Sequence, residues 1–346
     1  MSKIMTTSER TDWVDYAKAI GIILVVYGHV VRGLMKAGLI HDESLHRTID
    51  SIIYTFHMPL FFFLSGLFFQ ASLCRRGERK LISSKLDTIV YPYIIWSLLQ
   101  GGAELIMSDF TNGSVQLSEI VSLWTPRAQF WFLFVLFLVF IIATVYSHLF
   151  KSFFNILLLL TSGAAYLYHP ETLPPTITQL CENLIFFSIG ITFTAHKIPK
   201  ILSGNFCSLI TLLLFVTSQY VFHFILGNSY TDKGVLSLTL AITSIIFITS
   251  LTSSIPPNRL PILRTVGHFS MAIYLIHILS GSGARVALSK ILGVDSEAVH
   301  ILVGCSAGIL IPILIANLAQ RYNINYLFSA PLSNWFSFCL KPHQKF

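Results

Sequence analysis

Residues 130–148 read FWFLFVLFLVFIIATVYSH, 19 consecutive positions without a charged side chain. An α-helix rises about 1.5 Å per residue, so about 20 apolar residues cross the hydrocarbon core of a bilayer. A soluble helix of this length would show a polar face, and this stretch has none. The stretch therefore predicts a transmembrane helix.

Similar stretches recur along the whole chain. We expect an all-α integral membrane protein, with a bundle of about ten transmembrane helices. Residues 1–320 would form a single transmembrane domain. Residues 321–346 would form a cytoplasmic tail that lies along the membrane surface through aromatic residues between Tyr326 and Phe338. The predicted helices lie near residues 13–35, 50–71, 84–107, 130–148, 153–169, 176–196, 205–227, 234–255, 265–283 and 299–319.

The composition supports the same class of protein. Only 11% of the 346 residues are charged and 54% are hydrophobic, whereas soluble domains carry about 25% charged residues. The net charge of +7 is better explained by basic cytoplasmic loops than by nucleic-acid binding. The cysteines are odd in number and lack metal-ligand spacing, so we interpret them as packing residues and expect no metal site. They are Cys74, Cys181, Cys207, Cys305 and Cys339.

The basic residues predict the orientation. With the N-terminus inside, 15 of the 23 Lys and Arg residues fall in inner segments and 7 in outer segments, while Lys18 lies inside the first helix. Because basic residues gather on the cytoplasmic side, this bias predicts that both termini are cytoplasmic. The pattern is typical of a bacterial inner membrane protein.

The first predicted helix contains three ionisable residues: Asp15, Lys18 and His29. Such groups cost at least about 2.5 kcal/mol near the bilayer centre, so they are candidates for function. Lys18 and His29 are 11 positions apart, which places them on one helical face about 16 Å apart along the axis. Asp15 can pair with Lys18. Alternatively, Lys18 only extends to the inner interface with Asp15 as its partner.

Two further histidines lie at a depth comparable to that of His29. His57 precedes Pro59, which removes a backbone donor and frees a carbonyl group in the second helix. His277 lies in the outer half of the ninth helix. A lone histidine in a membrane helix is more often a hydrogen-bonded packing residue than a catalyst. Three at one depth nevertheless favour a shared polar cavity.

A basic cluster follows the second predicted helix. It comprises Arg75, Arg76, Arg79 and Lys80. The cluster can be a topology signal or a site for a phosphate-rich ligand. In the second interpretation, Arg76 and Arg79 would present paired guanidinium groups on one helical face.

These residues occur in motifs that resemble the membrane acyltransferase-3 family, and most closely its fucose 4-O-acetylase-like branch. The motifs follow the family order from residue 10 to about residue 280. Lys18 stands where the family commonly has Arg, so the charge is kept but the bidentate fork is lost. The matching segments are DYAKAIGIILVVYGH (15–29), FHMPLFFFLSG (56–66), Arg76 with Arg79, YPY (91–93) with Trp96, FWFL (130–133) and GHFSMAIYLIH (267–277).

The resemblance implies transfer of an acyl group, usually acetyl, from cytoplasmic acetyl-CoA to a carbohydrate hydroxyl. The acceptor would be a surface polysaccharide, a glycolipid or a lipid-linked sugar. Arg76 and Arg79, with Arg75 and Lys80 nearby, are the candidates for binding the coenzyme A phosphates. The pantetheine arm would then run along the first helix, past Lys18 and toward His29.

The same resemblance suggests roles for the buried groups. His29 would be the general base that removes the hydroxyl proton, or alternatively the site of a transient acyl intermediate. His57 or His277 would stabilise the oxyanion or orient the acceptor, and Asp15 would fix Lys18.

Two other functions remain compatible with the sequence. The chain could be a transporter or flippase for a glycolipid or small solute, with Lys18 and the histidines relaying protons, although no two-half repeat is evident. It could also be a non-catalytic component of a polysaccharide assembly complex.

Overall fold

The structure is a computed structural model that describes residues 12–108, 115–170, 172–195 and 202–333. The predicted cytoplasmic ends, Cys339 and the aromatic residues from Trp335 to Phe338 lie outside this part of the chain. We number the α-helices in chain order: α1 Asp12–Lys36, α2 Glu43–Tyr54, α3 His57–Leu67, α4 Phe69–Arg76, α5 Glu78–Lys85, α6 Tyr91–Ile106, α7 Leu117–Val121, α8 Trp131–Phe150, α9 Phe154–Tyr168, α10 Pro175–Ala195, α11 Asn205–Tyr220, α12 Val235–Ser253, α13 Pro261–His268, α14 Ser270–Val286 and α15 Glu297–Arg321.

The described residues form an all-α bundle with no β-strand. Within them, nine helical stretches are long and apolar enough to cross a membrane, which confirms the predicted fold class. They are Asp12–Lys36, Glu43–Arg76, Glu78–Ile106, Ala128–Tyr168, Pro175–Thr194, Asn205–Ile225, Val235–Ser253, Ser270–Ile291 and Glu297–Arg321.

One of the nine stretches, Ala128–Tyr168, is 41 residues long and folds back on itself. The rings of Phe140 and Phe154 lie 6.1 Å and 6.4 Å from the ring of Phe69. In a straight helix these two phenylalanines would be about 21 Å apart. The chain therefore reverses at Lys151, which has a φ of 43°. Helices α8 and α9 are thus separate crossings, and a helix overlaps each of the ten predicted stretches.

Helix α1 lies at the centre of the bundle and packs against α3, α12, α13, α14 and α15. The chain from α13 to α14 runs parallel to α1. Gly267 meets the backbone of Asp15, and Gly281 meets Val30. Helix α15 runs antiparallel, since Gly304 meets Val30 and Gly308 lies one turn deeper against Val26.

Glycine permits a close helix contact between α3 and α10. A Cβ atom at Gly66 would lie 2.1 Å from the carbonyl oxygen of Phe187, and one at Gly190 would lie 2.2 Å from that of Phe63. The two backbones therefore touch, as small residues allow in membrane helix pairs. Helix α3 is thereby fixed, with His57 at its first position.

The described start of the C-terminal tail packs against the third of these stretches, Glu78–Ile106. Trp96 Nε1 donates to the carbonyl oxygen of Leu327 at 2.7 Å, and the Tyr91 hydroxyl donates to that of Tyr326 at 2.6 Å. Ser333 donates through both its backbone and its hydroxyl group to Asp87. These contacts hold residues up to Ser333 against the protein.

Candidate active site

The three predicted histidines line one cavity. Its volume is about 1040 Å³, and its walls come mainly from α1, α2, α3 and α14. The rings of His29 and His277 lie 5.0 Å apart in an edge-to-face arrangement, and His57 lines the same space. The cavity opens toward the C-terminal end of α1, the side that the predicted orientation places outside.

His57 is positioned by the break between α2 and α3. Helix α2 ends at Tyr54, and His57 begins α3. Its Nδ1 lies 2.9 Å from the carbonyl oxygen of Ile53. A carbonyl group only accepts, so the bonded nitrogen carries the proton and Nε2 of the neutral ring keeps its lone pair. Pro59 has no N–H group, but it lies in the first turn of α3, where that group would have no partner within the helix.

The ring of His277, in α14, is held through Nδ1 in the same way as the ring of His57. Its Nδ1 lies 3.0 Å and 2.8 Å from the carbonyl oxygens of Ile273 and Tyr274. Among the described residues, its buried Nε2 has no hydrogen-bond partner. The residue is 1% exposed, so an acceptor molecule cannot reach it directly. An unpaired buried nitrogen is costly and is a common feature of functional sites.

His29 differs from the other two because it is only half-buried. It therefore presents its ring to the cavity, with His277 directly behind it. Glycine at position 28 allows α1 to pack closely against α2, because a Cβ atom there would lie 3.1 Å from the Tyr54 ring. Of the three histidines, His29 is the one that a molecule in the cavity can contact most readily.

An ion pair links α1 to α2 one turn beyond His29. Arg32 Nε lies 3.0 Å from both carboxylate oxygens of Asp50, and Nη2 lies 2.7 Å from Oδ2. The guanidinium group also lies 3.5 Å above the Tyr54 ring, and that ring lies 4.4 Å from the ring of His57. The ion pair with Asp50 and the contact with the Tyr54 ring together hold the guanidinium group in one position. The cluster therefore sets the positions of His29 and His57 relative to each other.

A tight outer turn brings Tyr230 to the cavity. Asp232 accepts hydrogen bonds from the Ser229 backbone at 2.7 Å and from its hydroxyl group at 3.0 Å. These bonds lower the pKa of Asp232, so the carboxylate stays charged and holds the turn. The Tyr230 backbone donates to the Ser51 hydroxyl at 2.9 Å. The Tyr230 ring is thus held 5.3 Å from the Tyr54 ring.

Asp15 and Lys18 lie outside the cavity. They form an ion pair of 3.4 Å near the inner end of α1. Between them and the histidines the helix is tightly packed: Ile22 is fully buried and Gly21 meets the Phe61 ring. The innermost α1 residue that lines the cavity is Val25. The structure therefore does not bring Lys18 or Asp15 to the three histidines.

The basic cluster is exposed, but its arginines do not share one helical face, and that prediction is wrong. Gly77 has a φ of 74°, which ends α4 at Arg76 and starts α5 at Glu78. Glycine adopts this left-handed conformation readily and is the common residue after a helix C-terminus. The two arginines lie on either side of this break. Arg75 and Lys80 are exposed beside them.

A second cavity lies next to this cluster. Its volume is about 500 Å³, and Ser84, Asp87 and Thr88 line one side while residues 326 and 329–331 of the tail line another. Arg76 Nη1 donates to the Ser84 hydroxyl at 2.6 Å. Arg76 therefore lies beside a polar space of sufficient size for a nucleotide-like ligand.

The helices around the histidine cavity match a known protein family. A sequence profile described as an acyltransferase domain matches residues 11–317. The chain belongs to the acyltransferase-3 family. The match covers α1 to the inner part of α15, and with them every helix that lines the histidine cavity. The prediction from the sequence motifs is confirmed for the family.

Two curated relatives are similar to part of this acyltransferase-3 chain. Nodulation protein NolL of Mesorhizobium japonicum is 26% identical over 193 residues, which cover 54% of this chain and 48% of the relative. Nodulation protein NolL of Sinorhizobium fredii is 27% identical over 187 residues, which cover 52% of this chain and 47% of the relative. The chain thus spans about half the length of the curated relatives it matches. No solved structure matches the chain.

Sequence reasoning missed several residues of this family member's cavity. The charge pattern places Arg32 and Asp50 only among the outer charges, and it does not single out Tyr54, Tyr230 or His300. A signal was present for Arg32, because it falls one turn past His29 on a predicted transmembrane helix. Nothing in the sequence pairs Tyr230 with Tyr54, since 176 positions separate them.

The Arg32–Asp50 pair should contribute more to stability than an exposed pair of the same kind. Asp50 is 9% exposed in its side chain, whereas Glu43 and its partner Arg47 are 37% and 69% exposed. We expect Asp50→Asn to lower the free energy of unfolding by about 2 kcal/mol, because it leaves a half-buried guanidinium group without its counter-charge. The matched change Glu43→Gln should cost less than about 1 kcal/mol. Melting temperatures in detergent compare the two, and equal shifts would contradict the expectation.

Proposed function

We propose that this acyltransferase-3 protein is an integral membrane O-acyltransferase that moves an acetyl group from cytoplasmic acetyl-CoA to a carbohydrate hydroxyl. The acceptor is a surface polysaccharide, a glycolipid or a lipid-linked sugar. The observation that carries the proposal is the placement of a half-buried histidine on the wall of a large cavity, within a chain of an acyltransferase family.

His29 acts as the general base in this proposal. The acceptor oxygen attacks the thioester carbonyl carbon while its proton passes to the imidazole of His29. The tetrahedral intermediate then expels the coenzyme A thiolate, which takes up the proton. A neutral imidazole has a suitable proton affinity near pH 7, and such catalysis contributes roughly 10²–10⁴-fold.

The other two histidines have supporting roles. His277 is a positioning residue, because its ring packs edge-to-face against that of His29 while its 1% exposure keeps it from the acceptor. His57 lines the same cavity but is 2% exposed, so it orients the acceptor indirectly, through the Tyr54 ring that lies 4.4 Å from its own ring.

The donor binds from the opposite side. Coenzyme A carries several phosphates and cannot enter lipid with them, so its nucleotide end remains at the inner face. Arg76 beside the second cavity, with Arg79, Arg75 and Lys80 exposed around it, supplies the cationic donors. Lys18 lies between this face and the histidines and can contact the pantetheine arm.

The proposed route for the donor requires a local movement. The thioester has to pass the layer in which Ile22 is fully buried and Gly21 meets the Phe61 ring. Rotation of the Phe61 side chain is the smallest change that opens α1 from α3 at this level. The donor arm, once inserted, would fill the space that the ring leaves.

The decisive experiment uses the purified full chain in lipid with radiolabelled acetyl-CoA. Release of coenzyme A is followed with and without a crude surface-glycan extract, and label in the glycan is counted. Glycan-dependent release with label transfer supports the proposal. Absence of both release and coenzyme A binding, across several extracts and acyl donors, contradicts it. Movement of a glycolipid across the bilayer without any transfer would instead identify a flippase.

The donor site makes a separate prediction. Replacing Arg76 and Arg79 together with Gln should raise the dissociation constant for coenzyme A by about 10²–10⁴-fold, because two charge-assisted hydrogen bonds of about 1.5–3 kcal/mol each are lost. Equilibrium binding in nanodiscs measures the change. The matched control is Arg259→Gln, which removes an exposed charge from another predicted inner loop and should bind as wild type does. Unchanged binding in the double variant would place the phosphates elsewhere.

A further inference from the structure

The carboxylates on the wall of the histidine cavity all have cationic partners. Asp50 pairs with Arg32 at 2.7 Å, Glu104 pairs with Arg127 at 2.7 Å, and Glu43 pairs with Arg47. These groups therefore present no uncompensated negative charge to a ligand. The wall is close to neutral wherever a carboxylate is present.

Two further cations line the cavity, and among the described residues neither has such a partner. They are Lys36 at the last position of α1 and Arg285 near the end of α14. Within the part of the chain that the structure describes, no carboxylate oxygen lies within 4.0 Å of either group. Arg285 is only half-exposed, so water does not surround it fully. The cavity therefore has an excess of positive charge.

The two cations lie at the same end of the cavity. Helices α1 and α14 are parallel, and their histidines are in contact. Lys36 is seven positions beyond His29 and Arg285 is eight positions beyond His277. At about 1.5 Å per residue, both lie roughly 10–12 Å further along the helix axis than the histidine pair. They therefore flank the outer mouth.

An aromatic step lies between the histidines and the mouth. Arg32 is one turn beyond His29 and one turn before Lys36, and its guanidinium carbon lies 3.5 Å and 5.4 Å from the ring centroids of Tyr54 and Tyr230. The Tyr54 ring is already packed against Arg32 and His57, whereas the Tyr230 ring is further from Arg32 and suits the apolar C–H face of a sugar. The tyrosine hydroxyl groups suit the hydroxyl groups of the sugar. From the histidines to the mouth, the cavity wall therefore carries the proposed base, then the two tyrosine rings, and then the two cations.

We propose that the outer half of this cavity binds an acidic acceptor, whose sugar lies against Tyr230 and whose anionic group is held by Lys36 and Arg285. The anionic group is a carboxylate or a phosphate on the glycan. This inference rests on the proposed acyl transfer for its biological meaning, but the binding itself can be tested without turnover. The Arg285 guanidinium group can form two parallel hydrogen bonds with a carboxylate or a phosphate. This geometry also fixes the position of the sugar relative to His29.

The test measures binding to the full chain in nanodiscs of phosphatidylcholine alone. Two matched pairs of probes are used: trigalacturonate with its carboxyl-reduced trisaccharide, and glucose 1-phosphate with glucose. We expect the anionic member of at least one pair to bind about tenfold more tightly, as one charge-assisted contact predicts. Similar affinity for both members in both pairs overturns the proposal.

Variants assign the preference to the two cations. Lys36→Gln combined with Arg285→Gln should abolish the preference for the anion and leave the affinity for the neutral sugar unchanged. Lys290→Gln is the matched control, since Lys290 is exposed on the same side but does not line the cavity, and it should keep the preference. Arg285→Lys should restore part of it. A preference that persists in the double variant overturns the proposal.

Two further arms distinguish a glycan acceptor from lipid headgroups and anion binding from acyl transfer. Phosphatidylglycerol is added to the nanodiscs, and complete loss of the anion preference would show that bulk lipid headgroups occupy the cations, which overturns an acceptor role. The same probes are offered with radiolabelled acetyl-CoA. Selective binding without transfer to any glycan would contradict the proposed function while leaving the anion site intact, so the two failures are distinguishable.

Discussion

Replacement of His29 with Ala should lower the rate of acyl transfer by about 10²–10⁴-fold, because it removes the proposed general base. His29 is the half-buried histidine of the three, whereas His57 and His277 are 2% and 1% exposed. The affinity for coenzyme A should not change, since the basic cluster lies at the other end of the protein. Turnover and equilibrium binding, measured on the same preparation, check both statements.

Three comparisons make the prediction for His29 specific. Added imidazole should restore part of the activity of His29→Ala, since the substitution leaves space on the cavity wall for a free base. His277→Gln should change the pH dependence of the rate more than the Michaelis constant for the acceptor. His300→Gln is the matched control, because His300 lines the cavity but is 1% exposed and bonded through Nε2 to Val294. Near-native transfer by His29→Ala would exclude its role as the base.

Gly267→Ala should prevent stable folding. A Cβ atom there would lie 1.8 Å from the carbonyl oxygen of Asp15 and 2.5 Å from its carbonyl carbon. Both are backbone atoms of α1, so no side-chain rotation relieves the overlap, and the helices have to separate. Overpacking of this kind costs about 3 kcal/mol or more. We expect a large loss of monodisperse protein in size-exclusion chromatography and a lower melting temperature for what remains.

The control for Gly267 is another glycine inside a helix. A Cβ atom at Gly102 would have no neighbour within 4 Å, so Gly102→Ala adds a methyl group to open space. Alanine favours the helix over glycine by about 1 kcal/mol, and this variant should be at least as stable as wild type. If both substitutions are tolerated equally, α1 and α13 do not touch as described.

The transmembrane helices could be predicted from the sequence because a bilayer imposes a length and an apolar surface on each of them. Even the short stretch near residues 153–169 corresponds to α9. The motif around His29 likewise predicted the family that the comparisons show. The reversal at Lys151 was also readable, as the gap between two apolar stretches.

The composition of the cavity could not be predicted in the same way. Helical periodicity predicts that Lys18 and His29 lie on one face of α1, but it does not show the packed layer at Ile22 that lies between them. Periodicity describes one helix and carries no information about what a neighbouring helix inserts. Asp50 and Tyr230 join the site through contacts made by distant parts of the chain. Gly77 was a local signal of another kind, because a glycine with a φ of 74° ends the helix on which Arg76 and Arg79 were expected to lie together.

The central position of α1 has a consequence for biogenesis. This helix leaves the ribosome before α13, α14 and α15, against which it packs. The partner of Arg32 is Asp50, which lies in the next helix and is made soon afterwards. The partner of Asp12 is Arg264, which lies 3.3 Å away in the folded protein but is made much later. During synthesis α1 must therefore remain in the lipid, or beside the insertion machinery, with the Asp12 carboxylate unpaired, whereas Asp15 already has Lys18. A chain without α13 to α15 would leave α1 without three of the helices that it packs against, so the environment of α1 is complete only after these helices have been made.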